Sequence, residues 1–360
     1  MLAGTTLAHA QFDLEESHTT ASLRGIHSVG EGVAWASGTD GTVLRTLDGG
    51  ALWQPCTTPP GAEKLDFRGI QAFDRNTAII MSSGKGDLSR LYKTTDACRT
   101  WHLVFTNPDK EGFFDALRRV TSKQLFLLGD PVDKKFSMFL SGDAGSTWFI
   151  ADDPGLDAQK GDGAFASSNS SLTAQGPFLY FVTGGGASAH LYNTAVKCDP
   201  TKPNLPCPVA WTRSDLPLAT GTPTSGAFSV AGRMDTNLSG KSHSIFVAVG
   251  GAYDKPEMSV STSAFSTDSG GQHFQPAMIP PHGYRSSVVY NPTTNVWITV
   301  GPNGTDISRD DGRNWTPLKP AANQPPDTDK NWNALSLPFV VGPHGRIGKL
   351  RDDALVPAKP

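Results

Sequence analysis

The chain has 360 residues, a formal net charge of −3, a sequence pI near 6.3, 38 glycines and 27 prolines. This balance excludes the global basic field that holds nucleic acid or an anionic membrane, so any anion site must be local. No apolar run approaches the roughly 18 residues that a membrane span needs, and glycine and proline interrupt the chain too often for long helices, which points to an all-β fold.

Leu7 to Ala10, followed by Gln11, looks like the end of a secretory signal, but the residues before it lack a charged start and a full apolar segment. Residues 1–10 therefore read as a signal-peptide remnant or as a disordered leader. From Gln11 onward, short apolar runs alternate with turn residues, the pattern of consecutive antiparallel strands. The first unit predicts strands over Leu23 to Val29, Val33 to Ser37 and Thr42 to Thr46, then a turn, then a fourth strand opening at Trp53. The second unit repeats this over Phe67 to Ile70, Ala78 to Met81 and Arg90 to Lys93.

The turn between the third and fourth strands carries an eight-residue box, S/T-x-D-x-G-x-x-W, which recurs along the chain. Thr46 to Trp53 (with Asp48), Ser141 to Trp148 (with Asp143) and Ser308 to Trp315 (with Asp310) match fully. Thr94 to Trp101 (with Asp96) matches except that Cys98 replaces the glycine, and Thr267 to Phe274 fits if Ser269 stands for the aspartate. The chemistry is that of a tight hairpin: Asp and Ser/Thr oxygens accept turn N–H groups, Gly takes positive φ, and Trp packs back as a wedge. Asp48, Asp96 and Asp143 recur at intervals of 48 and 47 residues, a period that suits four-stranded propeller blades.

A second marker sets the blade number. An apolar run ending in glycine occurs at Gly38, Gly84, Gly129, Gly184, Gly250, Gly301 and Gly342, which makes seven. The last unit, from Asn331, runs out near Arg351 after three strands, so Phe12 to Ser17 is expected to supply the missing outer strand and close the ring. The predicted organisation is a leader over 1–10, one seven-bladed propeller over 11–351 and a tail over 352–360, acting as a monomer. Of the four cysteines, Cys198 and Cys207 bracket a Pro-rich loop, and Cys56 and Cys98 sit in neighbouring repeats. Each pair could form a disulfide in a secreted or periplasmic protein; the alternative is four reduced, buried thiols.

The box pattern, together with L-R-G-I at Leu23 to Ile26, F-R-G-I at Phe67 to Ile70 and Y-R-S-S from Tyr284, resembles the BNR/Asp-box propellers. The closest likeness is to bacterial proteins similar to the photosystem II stability and assembly factor. The segments Glu16 to Ile26, Gly129 to Val132, Gly161 to Leu172 and Gly250 to Pro256 resemble a bacterial branch often labelled "oxidoreductase". That label finds no dinucleotide fingerprint or redox motif here. The resemblance spans Gln11 to Leu350; it implies the fold specifically and the function only broadly, since such propellers include sialidases, endoglucanases, sorting receptors and assembly factors.

Strand alternation places the boxes on one face and the starts of the innermost strands on the opposite, upper face. Arg24, Arg68, Arg118 and Arg285 stand at the starts of four such strands and are expected to converge at the upper mouth of the channel, where guanidiniums grip carboxylates or phosphates. In the assembly-factor family an arginine patch is implicated in partner binding, and these four resemble it by position. The competing reading is that each pairs with a carboxylate of an adjacent blade, such as Asp115, Asp130 or Asp162, and ties blades together. Tyr253, Lys255 and Tyr284 on upper loops, and Trp332 as a ligand platform, complete the candidate binding set for a protein, acidic or carbohydrate ligand.

A sialidase would need an R-I-P entry, which Phe67 to Ile70 lacks. A glycoside hydrolase more broadly would use two facing carboxylates, for which Asp115, Asp130 and Asp162 are the candidates. Nine histidines show no metal-ligand spacing and no G-x-S-x-G elbow occurs, so neither a metal nor a cofactor is expected. The functional expectation is a non-enzymatic binding or assembly scaffold, with a carbohydrate-active hydrolase as the alternative.

Overall fold

The computed structural model describes residues 11–151, 153–196, 210–236, 242–266, 268, 271–321 and 324–355. They form seven four-stranded antiparallel sheets arranged as the blades of one propeller. Six blades take their strands in sequence order. The seventh consists of Ala334–Ser336, Phe339–Val341 and Ile347–Leu350 plus the N-terminal strand Phe12–Glu15, which pairs with Ile347–Leu350 from the start of the chain. Phe12 opposes Leu350 and Glu15 opposes Ile347, so the ring is closed by non-covalent pairing of its two ends. Among the described residues no helix is long and apolar enough to cross a membrane.

The second strand of each blade explains why apolar runs rather than alternating patterns mark the units. Val33–Gly38, Ala78–Ser82 and Val296–Gly301 are buried at every position, because both faces of each blade pack against neighbouring blades. The core is accordingly spread through layers between blades. One layer joins Leu23, Ala34, Leu44 and Trp53 of the first blade to Ala334, Phe339 and Ile347 of the seventh. Outer strands are only two residues long and exposed in several blades, as at Gln54–Pro55 and Thr316–Pro317, which leaves little unpaired edge.

The glycine that ends the second strand has a steric cause. A Cβ at Gly38, Gly129, Gly250, Gly301 or Gly342 would press against a backbone carbonyl at the entry to an innermost strand. Only glycine lets the two backbones meet there.

The boxes are built as their residue types require. Asp48 Oδ1 accepts from Thr46 Oγ1 at 2.8 Å and from Leu52 N at 3.0 Å, while Gly50 N donates to Thr46 Oγ1 at 3.0 Å. Asp96, Asp143 and Asp310 repeat the pattern with Thr94, Ser141 and Ser308. Trp53, Trp101, Trp148 and Trp315 are all buried wedges.

The fifth copy needs a correction. Thr267 and Ser269 lie outside the described residues. The box is instead made by Ser266, which donates to Asp268, and by Gln272 N and His273 N, which donate to the same carboxylate. The turn is one residue longer than its siblings, which is why the spacing to Phe274 pointed one residue too far along.

Cys56 and Cys98 form a disulfide with a Cα–Cα distance of 5.4 Å and a sequence separation of 42. It links the end of the first blade to the box turn of the second. Cys98 occupies the box's glycine position at φ +60°, and in the loop-entropy picture a crosslink of this length contributes about 4 kcal/mol. Cys198 and Cys207 lie outside the described residues.

Candidate functional site

The innermost strands begin with a repeated irregularity that decides which side chains face the upper mouth. In the first blade Leu23 opposes Gly38 and Gly25 opposes Ser37, leaving Arg24 as the extra residue of a bulge. The same slip leaves Arg68 unpaired between Phe67 and Gly69, Asp115 between Phe114 and Ala116, and Phe228 between Ala227 and Ser229. A bulge re-aims its extra side chain. All four line a bowl of about 720 Å³ on the upper face, to which no box residue contributes.

The floor of the bowl comes from the segment that enters the fourth blade. Phe165 stacks on Phe228 with ring centroids 3.8 Å apart. Ser168 Oγ donates to Ser286 O at 2.7 Å, and Ser170 Oγ donates to Ser229 Oγ at 2.7 Å. Asn169 accepts from Leu117 N at 2.7 Å and donates to Leu117 O at 3.1 Å and Ile70 O at 3.4 Å. One short segment thus ties together the second, third, fifth and sixth blades and plugs the channel.

Two of the four predicted arginines belong to the bowl. Arg24 and Arg68 converge on a single carboxylate, Asp66, at 3.4 and 2.7 Å. Arg68 also lies over the ring of Phe113, 6.0 Å from its centroid. Burial, and then repulsion from Arg68, lowers the pKa of Arg24, whose Nε has no bond partner. Asp66, two residues ahead of Arg68, was not singled out in the sequence; its position just before the strand was the available signal.

Arg118 and Arg285 are elsewhere. Arg118 opposes Phe126, the register held by His27 opposite Trp35 in the first blade and by Gln71 opposite Ile79 in the second. It lies one residue below the Asn169 plug, on the far side from the bowl. In this blade the bulge position equivalent to Arg24 belongs to Asp115.

Arg285 corresponds to Leu23, not to Arg24. Leu23 N donates to Gly342 O, and Arg285 N donates to Gly250 O, in each case the strand-end glycine of the preceding blade. Its guanidinium has no exposed surface; it pairs with Asp306 and donates to Asn303 Oδ1 at 2.5 Å. His282 Nδ1 lies 2.8 Å from the other oxygen of Asp306. Arg285 is a tie within the wall, as the competing reading supposed, though with a carboxylate of its own blade.

Trp332 holds the same strand-entry position as Leu23 and Arg285, its backbone N–H donating to Gly301 O at 3.3 Å. It borders the bowl but is 1% exposed, packs 5.6 Å from Phe12 and has Arg346 over its ring, so it offers no stacking platform. Tyr253 lines the rim and is half exposed; Tyr284 lines the wall, edge-on to Phe228 at 4.7 Å, and burial raises its pKa. Lys255 is exposed and outside the bowl.

Of the three carboxylates, Asp115 and Asp130 act as neighbours. Asp115 is 1% exposed and neither of its oxygens has a hydrogen-bond partner. Burial first, and then the charge of Asp130, pushes its pKa well up, against the pull of Arg68. Asp130 accepts from Ala164 N at 3.0 Å, and burial pushes its pKa up to about 6. Asp162 also borders the bowl, but one of its oxygens accepts from Gln159 N at 2.9 Å and lies 3.5 Å from His190 Nδ1, which ties it to the loop over the fourth blade. Among the described residues no group of three or more His, Cys, Asp or Glu is placed to hold a metal.

No protein-family model matches the chain, and no curated protein matches it. Solved structures do. A structure titled "YCF48 bound to D1 peptide" aligns over 96% of this chain and 98% of its own, with 16% identity and a TM-score of 0.62. YCF48 from Cyanidioschyzon merolae aligns over 96% and 100%, with 14% identity and a TM-score of 0.59. A Niastella koreensis GH74 enzyme matches with 13% identity over 84% of this chain and half of its own, and its TM-score of 0.37 carries no argument. The chain therefore has the same seven-bladed propeller fold as these YCF48 structures, matched over nearly its whole length.

Proposed function

We propose that this propeller is a non-enzymatic binding scaffold whose upper bowl takes an acidic segment of a partner protein. The observation that carries this reading is the pair of bulged arginines, Arg24 and Arg68, which share one carboxylate and so keep guanidinium donors for a second acceptor. Arginine presents planar, bidentate donors suited to carboxylate recognition, and the surrounding Phe113, Phe228 and Tyr253 supply apolar and aromatic contact. A YCF48 structure with a bound D1 peptide supports a protein ligand for a propeller of this fold. The Cys56–Cys98 disulfide supports an oxidising, secreted or periplasmic setting, and the scaffold would act as a monomer.

Fluorescence anisotropy against a library of acidic peptides tests this reading. Arg24→Gln/Arg68→Gln should weaken binding at least about 100-fold, since each charge-assisted bond is worth about 1.5–3 kcal/mol. The unfolding midpoint should move by no more than about 2 °C, because partly exposed ion pairs contribute little. Equal binding by wild type and variant would reject the site.

One observation favours the hydrolase alternative: two adjacent carboxylates with raised pKa values line the bowl. Against it, Asp115 is 1% exposed at the wall of the bowl, within reach of the tip of a slender side chain but not of a bulky sugar ring. Hydrolysis of an aryl glycoside that is lost in Asp130→Asn would reverse this ranking.

A further inference from the structure

The bowl holds a second charged feature beside its arginines. The bulge position of three consecutive blades carries Arg24, Arg68 and then Asp115, so the sign of the charge changes along one arc of the wall. Asp115 is buried, lines the bowl, and has both carboxylate oxygens without a partner. Buried polar groups in folded proteins are normally satisfied, and an exception calls for a reason such as an absent ligand. The nearest cation, Arg68, is already bonded to Asp66 at 2.7 Å. Asp130 lies alongside and has a single backbone donor, Ala164 N. With no third ligating side chain among the described residues, the pair is poorly equipped for a divalent ion.

We infer that Asp115 and Asp130 form a cation subsite of the bowl, which receives a lysine ammonium or arginine guanidinium of the same partner segment whose carboxylate meets Arg24 and Arg68. This rests on the proposed function and makes it more specific: the partner segment is dipolar, an acidic residue followed across the arc by a basic one. A bound ammonium would supply the donors that both Asp115 oxygens lack and offset the repulsion between the two carboxylates. Phe113 and Pro131, which also line the bowl, would contact the methylene stem.

The electrostatics give the subsite a pH signature. The charged groups around the pair are Arg68 of the second blade with its partner Asp66, Arg24 from the first, Glu111 on the loop leading into the third, and Asp162, one of whose oxygens accepts from Gln159 N. Emptied, the pair favours a proton, and Asp130 titrates near pH 6. A cation binds the deprotonated form, so its contribution should be smaller at pH 5.5 than at pH 7.5.

The test uses two acidic peptides that differ only in one lysine, free or Nε-acetylated, measured by anisotropy with the full chain. At pH 7.5 wild type should bind the free-lysine peptide at least 10-fold more tightly, and the gap should narrow at pH 5.5. Asp115→Asn/Asp130→Asn should bind the acetylated peptide as wild type does and lose the preference. Equal affinity of wild type for both peptides at pH 7.5 would overturn the subsite while leaving the arginine reading intact. No binding of either peptide would overturn both. Because the acetyl group sits on the ligand, the test stands even if the double variant does not fold.

Discussion

A chain lacking residues 1–17 should unfold at a midpoint about 7 °C or more below that of the full chain. The strand Phe12–Glu15 is the outer strand of the seventh blade and supplies four register pairs to Ile347–Leu350. Phe12 is 1% exposed and packs with Trp332, Val340 and Leu350 in the layer between the sixth and seventh blades. Losing a buried phenylalanine alone costs about 3–5 kcal/mol. Glu15 adds a link to the first blade by accepting from Trp53 Nε1 at 2.8 Å, and Gln324 Nε2 donates to Phe12 O at 2.9 Å. With an unfolding entropy of about 2.1 cal/mol/K per residue, a loss of about 5 kcal/mol corresponds to about 7 °C for this chain. Calorimetry or circular dichroism melting reads the shift. A midpoint within 2 °C of the full chain would mean that the ring is held without its N-terminal strand.

The second large effect is expected at the partner of Arg285, a residue that looked functional in the sequence. Asp306→Ala should destabilise the fold by about 3–5 kcal/mol, because it leaves the Arg285 guanidinium buried and without its counter-charge. His282 and Asn303, which remain beside it, supply no negative charge. The paired replacement Arg285→Met/Asp306→Leu should recover most of that loss, since exchanging a whole buried ion pair for apolar side chains is often neutral. Peptide binding by the paired variant should match wild type. If it instead lost binding while melting normally, Arg285 would belong to the site after all.

The contrast between Arg285 and Arg24 shows where sequence reading reached its limit. Blade number, strand order and ring closure were legible because they rest on composition and period: the boxes, the seven strand-end glycines and the missing fourth strand after Arg351 all carry physical constraints visible in the letters. The bowl was legible only in part, because it depends on single-residue register. Arg24, Arg68, Arg118 and Arg285 look alike in L-R-G-I, F-R-G-I, L-R-R-V and Y-R-S-S. A one-residue bulge nevertheless puts the first two in the mouth, while register puts the third below the plug and the fourth in the wall. The alternating pattern that identifies strands cannot register an extra residue. Phe228 and the Ser168–Asn169–Ser170 floor were missed for a related reason: their role arises from contacts between blades far apart in sequence.

The central claim is that the upper bowl, and not the box face, is where this propeller meets its partner. Hydrogen exchange of the full chain with and without a saturating acidic peptide tests it most directly. Protection is expected at residues 111–115, at 161–167 and at Tyr253, with the box turns at 46–53, 141–148 and 308–315 unchanged. Protection confined to those turns, with the bowl exchanging as in the free protein, would contradict the account.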